Sequence, residues 1–225
     1  MEKLKKTVLI GGSSDIGQSL KELLTNHEIF EINSKDLDLN NLKKVKNYKI
    51  SFIPENIIFL SAYNRPKKFI MYSNSEIQSA ININFFSLVF LLKLLIKKVI
   101  KNKKKCNIVL ITSLYSQKGR EGRFLYSVCK HALLGIVRNL AVEYGSIGIR
   151  VNAVSPGFVY TKMTKKNLSK KQISNIIQMS PNKCLVEKKE IAETIKFLID
   201  GKVKNLNGQE IIVDAGISIN GSFGS

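Results

Sequence analysis

A chain of 225 residues, 44% of them apolar, is long enough for one domain with a full hydrophobic core. Its formal charge of +19 raises nucleic acid as a partner, but the basic residues are mostly lysines scattered through an Asn- and Ile-rich sequence, and aromatics do not interleave with them as a base-stacking platform requires. Cys106, Cys129 and Cys184 are odd in number and widely spaced, which argues against a disulfide framework and a zinc site and for a reducing, cytoplasmic setting.

The start "MEKLKK" mimics the basic end of a signal peptide, yet the apolar run behind it, "TVLI", is too short for export and breaks into glycines. That run predicts a first strand, followed by the loop "GGSSDIG", a helix over Ile16 to Leu24 and a second strand at Glu28 to Ile32. The loop does not fit G-x-G-x-x-G, because Ser13 or Ser14 stands where a glycine is required. Asp15 is placed to cap the helix that follows. The next stretch, "NSKDLDLNNLKKVKNYKISFIPE", has room for a reduced helix or an irregular strand but not for a full extra strand and helix. A strand is expected at Asn56 to Ser61 and a helix at Glu76 to Ile100.

The most apolar window, Phe85 to Ile100, is interrupted by Lys93 and Lys97 and falls short of the roughly 20 residues a spanning helix needs, so it reads as a buried or interfacial helix and no membrane is expected. "KKVIKNKKK", Lys97 to Lys105, is either a solvated helix end and loop or an anionic docking surface. Then follow a strand at Asn107 to Ser113, a helix at Leu125 to Tyr144, a strand at Ile149 to Ser155, a helix at Lys188 to Asp200 and a strand at Glu210 to Asp214. The segment 162–183 is Lys- and Ser-rich with weak helical period, and reads as a mobile flap over a site or as a plain surface helix. Strand and helix alternate throughout, and the strands are nearly continuously apolar. The expectation is an α/β fold, doubly wound, with a mostly parallel sheet covered by helices on both faces in a single domain spanning 1–225.

The chemistry concentrates in "NIVLITSLYSQKGREGRFLYSVCKHALLG". Ser113 ends a strand, Tyr126 opens the next helix thirteen residues later, and Lys130 lies one turn on, so the three can converge at one sheet edge. A tyrosine hydroxyl, with a free pKa of about 10, is a poor proton carrier at neutral pH until a nearby cation stabilises its phenolate. Lys130 can supply that charge, and Ser113 can hydrogen-bond a carbonyl or alcohol oxygen beside the tyrosine.

With these residues the chain resembles the short-chain dehydrogenase/reductase family, from Thr7 to about Ser218, and especially its compact members such as 3-oxoacyl-carrier-protein reductases. "IRVNAVSPGFVYTKM" is similar to the family's "RVNAVSPGxxxT" segment, and "LNGQEIIVDAG" to its closing strand. The glycine motif T-G-x-x-x-G-x-G falls on Ile10, Gly11, Asp15 and Gly17, with Ile10 and Asp15 departing from it; "LSAY" keeps only Ala62 of the family's "NNAG".

The resemblance implies a Rossmann-type fold and an NAD(P)-dependent oxidoreductase that interconverts a carbonyl and an alcohol by hydride transfer, with Tyr126 as acid/base, Ser113 orienting the oxygen, and Lys130 lowering the tyrosine's pKa and holding the nicotinamide ribose. It assigns Asn84, in "INF", to a water-mediated proton relay leading out from Lys130. It also implies cofactor contacts from Gly11, Ser13, Ser14, Ile16 and Gly17, from Asn33, Ser34, Asp38 and Leu39, from Ser61 and Ala62, and from Pro156, Gly157, Val159 and Thr161 at the nicotinamide end.

The tip of the second strand, "INSKD", offers no acid at Asn33, Ser34 or Lys35, which favours NADP(H) over NAD(H). No metal is implied. Lys118, Arg120, Arg123, Lys162, Lys165 and Lys166 suit an anionic substrate: a 3-oxoacyl thioester on a carrier protein, or alternatively a nucleotide-linked or acidic sugar. Long apolar helices point to a homodimer or homotetramer. The rival is a binding protein on the same fold without turnover, against which the complete Asn, Ser, Tyr, Lys set argues.

Overall fold

Each apolar strand has two faces to bury, and the chain supplies a helical layer for each. The computed structural model describes residues 4–220. The six expected apolar runs are strands: β1 Lys5–Ile10, β2 His27–Ile32, β3 Asn56–Phe59, β4 Cys106–Ile111, β5 Ile149–Pro156 and β6 Glu210–Val213. They pair in the order β2-β1-β3-β4-β5-β6, parallel at every junction. The helices are α1 Asp15–Leu23, α2 Leu42–Lys46, α3 Asn74–Ile81, α4 Ser87–Lys101, α5 Phe124–Tyr144, α6 Lys162–Asn167, α7 Lys170–Met179 and α8 Lys188–Asp200.

Alternation along the strands divides the core in two. Val8, Ile57 and Ile108 point to the side where Leu88, Leu91 and Leu95 of α4 and Val137 of α5 pack. Leu9, Ile58 and Val109 point to the other, against Leu20 of α1 and Ile191, Ile195 and Ile199 of α8. These side chains are buried, each contributing about 1.5–3 kcal/mol of transfer free energy.

The stretch between β2 and β3 holds only α2 and irregular chain, so β2 forms an edge of the sheet. The expected helix at Glu76 begins two residues earlier, because Ser73 and Glu76 form a reciprocal capping box. It continues through a π turn at Asn82–Phe86 into α4. The whole run, Asn74–Lys101, is long and apolar enough by length and composition to cross a bilayer, which the sequence reading did not anticipate. Half of its apolar window is buried within the protein, with Leu88, Leu91 and Leu95 in the core and Lys93 and Lys97 exposed.

The chain leaves β1 toward β2 on one side and returns to β3 on the other. The loops after β1 and β3 therefore diverge, and a crevice opens at the carboxyl ends of the strands. A polar ladder crosses the opposite end. His27 Nδ1 lies 2.7 Å from Thr7 Oγ1, which accepts from Asn56 Nδ2; Asn107 Nδ2 donates to Asn56 Oδ1, and Arg150 Nε donates to Asn107 Oδ1.

His27 Nε2 is buried with no hydrogen-bond partner, and burial, reinforced by Lys5, holds the ring's pKa below its usual 6.5. The folded state therefore binds fewer protons than the unfolded chain just below pH 6.5, so stability should fall as pH drops through that value and level off below the depressed folded value. Urea midpoints measured from neutral to acidic pH should show this loss, and His27→Gln should flatten it. An equally steep profile in the variant would remove His27 as the cause.

Candidate active site

The first wall of the crevice is the loop after β1. Gly11 turns it with φ of +84°, and a Cβ there would lie 2.5 Å from Ser61 Oγ, so the loops after β1 and β3 touch through a glycine. Gly17 presses α1 onto the loop so closely that a Cβ would meet the Gly12 carbonyl oxygen at 2.4 Å. Ser14, not Asp15, caps α1: its side chain accepts from Gly17 N at 3.1 Å. The helix begins one residue earlier than expected, so Asp15 becomes its first residue. Its carboxylate accepts from Lys162 N at 2.6 Å and ties the loop to the start of α6.

The second wall comes from β4 and α5. Ser113 follows β4 with extended backbone, its Oγ accepting from Tyr115 N at 3.2 Å. Its hydroxyl faces the Tyr126 phenol and works to lower that group's pKa. Lys130, one turn along α5, is buried, lies 5.5 Å from the Tyr126 ring centroid, and donates from Nζ to the Ile111 carbonyl at 2.5 Å. Burial pushes the Tyr126 phenol up to about 12, against the opposing pull of the Ser113 hydroxyl and the Arg123 charge. Burial also lowers the Lys130 ammonium to about 8. At neutral pH the arrangement presents a protonated phenol beside a cation.

These residues line a cleft of about 310 Å³ together with Ser13, Ser14, Ile16, Ala62, Pro156, Gly157, Val159 and Thr161, all expected from the sequence. Gly11 and Gly17 shape the cleft through the backbone approaches described above. Asn33 stands behind it, its Oδ1 accepting from Ser13 N at 2.9 Å, and Ser34 is exposed at the same strand tip. Asp38 accepts from Asn40 N, closing its own turn, and Leu39 packs on the core. Asn84 is buried in the π turn, and both its amide groups are engaged by one residue: Oδ1 accepts from Tyr63 N at 2.7 Å and Nδ2 donates to Tyr63 O at 2.8 Å. In this geometry it pins the loop after β3 rather than reaching toward Lys130.

One charged residue of the site, Glu31, escaped the sequence reading, and so did the contact that Lys162 makes. Glu31, on β2, lies under the Gly12 backbone and accepts from Lys21 Nζ at 2.6 Å and Asn33 Nδ2 at 2.9 Å, both contacts lowering its pKa. Lys162 lines the cleft through the Asp15 contact. The alternation of β2 could have placed Glu31 on the loop side; the Lys162 contact spans 147 residues and has no local signature.

Of the cations expected to face a substrate, Arg120 Nη1 donates to Tyr115 Oη at 2.5 Å, while its guanidinium sits 5.5 Å from the Phe158 ring. Arg123 turns inward instead, buried and donating to Asn64 Oδ1 at 2.8 Å. Lys118 donates to the Ser218 carbonyl. Segment 162–183 forms α6 and α7, and the apolar face of α7 (Ile173, Ile176, Ile177) packs with Tyr115, Phe158 and Ile217 in a hydrophobic cluster that Tyr126 joins.

A family model described as enoyl-(acyl carrier protein) reductase matches residues 46–218. Among curated proteins, 3-oxoacyl-(acyl-carrier-protein) reductase FabG of Buchnera aphidicola subsp. Schizaphis graminum is 32% identical over 191 residues, 84% of this chain and 76% of that protein. Among solved structures, 4-hydroxyisoleucine dehydrogenase complexed with NADH superposes with a TM-score of 0.91 at 21% identity, over 96% of this chain and 99% of that one. A putative 2-deoxy-d-gluconate 3-dehydrogenase from Agrobacterium tumefaciens with bound NADP gives 0.87 at 20% identity, over 95% and 96%.

The Asp15 contact makes a local claim. Asp15→Ala should free the start of α6 at a cost of about 1–2 kcal/mol, the usual penalty for an unsatisfied donor or lost cap. Amide exchange across 160–168 should then quicken by roughly 5- to 30-fold while α5 is unaffected. Unchanged exchange there would show that the carboxylate does not hold the segment.

Proposed function

The chain belongs to the short-chain dehydrogenase/reductase family, and we propose that it reduces the 3-oxo group of an acyl thioester borne on an acyl carrier protein, using NADPH. It is an oxidoreductase that works with a nicotinamide cofactor. The observation that carries the reading is the meeting of Ser113, Tyr126 and Lys130 in one cleft with the glycine loop at its far end.

The residues fit a dinucleotide. Gly17 lets the amino end of α1 face the cleft at close range, and a Cβ at Gly157 would run into the Asp214 backbone at 2.7 Å, so both ends of the cleft are cradles built on glycine. Ser13, Ser14 and Ile16 would hold the pyrophosphate end, and Pro156, Gly157, Val159 and Thr161 the nicotinamide end. When bound, the nicotinamide supplies a hydride to the carbonyl carbon.

The chain's own groups do the rest. Ser113 orients the carbonyl oxygen toward Tyr126, and Tyr126, protonated because burial pushes its pKa up, gives its proton to that oxygen. Lys130 stabilises the phenolate left behind. Asn84 keeps the loop after β3 in place through Tyr63.

A 3-oxoacyl thioester is supported by the apolar side chains that α7 sets beside Tyr126 and by the basic rim of exposed Lys162, Lys165 and Lys166. NADPH is supported by the acid-free strand tip at Asn33, Ser34 and Lys35, with the Glu31 charge already taken up by Lys21. A reducing, cytoplasmic setting agrees with the free thiols of Cys106, Cys129 and Cys184. A second copy of the chain suits the apolar groove of about 570 Å³ between α4 and α5, where Val89, Ile96, Ile136 and Leu140 line the surface.

With acetoacetyl-coenzyme A as a soluble thioester, the protein should oxidise NADPH faster than NADH. Tyr126→Phe should lose at least about 100-fold in kcat, the scale of a general acid's contribution, while NADPH fluorescence still reports binding. Near wild-type turnover in that variant would end the mechanism, and thioesters left unreduced while another ketone turns over would end the substrate reading. Sedimentation should give twice or four times the chain mass; a monomer at micromolar concentration would exclude the paired groove.

A further inference from the structure

Behind Ser113, on the side away from the cleft, lies a carboxylate with no role in the mechanism above. Glu210, the first residue of β6, reaches back beneath the turn that follows β4. Its Oε1 accepts from Ser155 Oγ and lies 2.8 Å from Ser116 Oγ, while its Oε2 accepts from Gln117 Nε2 at 2.6 Å. Ser116 Oγ also lies 2.5 Å from the Ser113 carbonyl oxygen, so its one proton is shared between that carbonyl and Glu210. Ser155 Oγ in turn lies 2.5 Å from Thr112 Oγ1. Thr112, Ser116 and Ser155 are all buried.

Among the described residues no lysine or arginine forms an ion pair with this carboxylate. Hydroxyl and amide donors of the catalytic turn satisfy it instead. Hydrogen bonds to an ionised acceptor are shorter and about twice as strong as neutral ones, so a charge held this way stiffens whatever supplies the donors. Here the donors are Ser116 and Gln117, which follow Ser113, and Ser155 of β5, which is bonded to Thr112 just before it.

We infer that Glu210 is a positioning residue for Ser113: through Ser116, Gln117 and Ser155 its carboxylate sets the pose of the turn that aims the Ser113 hydroxyl at Tyr126 and the substrate oxygen. The inference rests on the proposed role of Ser113. A displacement of about 1 Å at a reacting group is enough to cost up to 100-fold, so the effect belongs in kcat rather than in cofactor affinity.

The test uses the full chain, NADPH and acetoacetyl-coenzyme A. Glu210→Ala should lower kcat roughly 10- to 100-fold with the KM for thioester and the affinity for NADPH unchanged. Glu210→Gln, which keeps an acceptor for Ser116 and Ser155, should recover most of the loss. In a Ser113→Ala background, Glu210→Ala should change kcat no further, because the group it positions is gone.

Wild-type kcat in Glu210→Ala would overturn the inference, and so would an equal loss in both backgrounds, which marks a merely structural role. Ser116→Ala, which deletes one buried hydroxyl, carries the same test with the same outcomes if Glu210→Ala does not fold. The two failures are separable: full activity in Ser113→Ala sinks the role of Ser113 and the positioning with it, whereas an inactive Ser113→Ala beside a fully active Glu210→Ala sinks the positioning alone.

Discussion

Lys130 is a cation enclosed at the carboxyl edge of a parallel sheet, and its hydrogen bond to the Ile111 carbonyl is the contact around which the site is assembled. An enclosed ammonium needs an oxygen acceptor, and the end of β4 provides one because β4 is an interior strand whose last carbonyl faces α5 rather than water. That bond fixes the depth at which α5 sits on the sheet. Depth then decides where Tyr126, one turn earlier, meets Ser113 at the end of the same strand. A helix shifted by one turn would keep its apolar packing and lose the meeting point.

The same burial that constrains Lys130 sets the protonation of the pair. Removing water raises the phenol to about 12 and lowers the ammonium to about 8, so two pKa values that are nearly equal for the free groups move apart. Both values stay above neutral pH, which keeps the Tyr126 phenol protonated and the Lys130 ammonium charged there. The groups around them act on position. Asn84 grips Tyr63 from the π turn that joins α3 to α4. Glu210 grips the turn after Ser113 from the neighbouring strand.

Much of this was legible in the residues because the signals are local. Two-sided apolar runs announced every strand, and the 3.6-residue period announced α4, α5 and α8. Ser113, Tyr126 and Lys130 were legible together because a strand end, a helix start and an i, i+4 spacing need no knowledge of the rest of the chain. The limits of the short β2 to β3 connection were legible as well, since 23 residues without β-rich alternation leave little room for a strand. Misreadings arose where one residue of register matters. Asp15 was expected to cap α1, but Ser14 has the extended backbone a cap requires, and the aspartate one place on accepts from Lys162 N instead.

The sequence alone determined the alternating architecture, the sheet buried on both faces and the spacing that lets Ser113, Tyr126 and Lys130 share one sheet edge, because hydrophobic period and short-range spacing are properties of the chain itself. The tertiary structure decided which charges meet. Asp15 finds the Lys162 amide, Glu31 finds Lys21 beneath the glycine loop, Arg123 turns inward to Asn64, and Glu210 finds the catalytic turn 94 residues before it. These are contacts between loops and strand ends brought side by side by the winding of the sheet. Hydrogen bonds between residues so far apart leave no period in the sequence, and they exist only once packing of the two helical layers has brought those ends together.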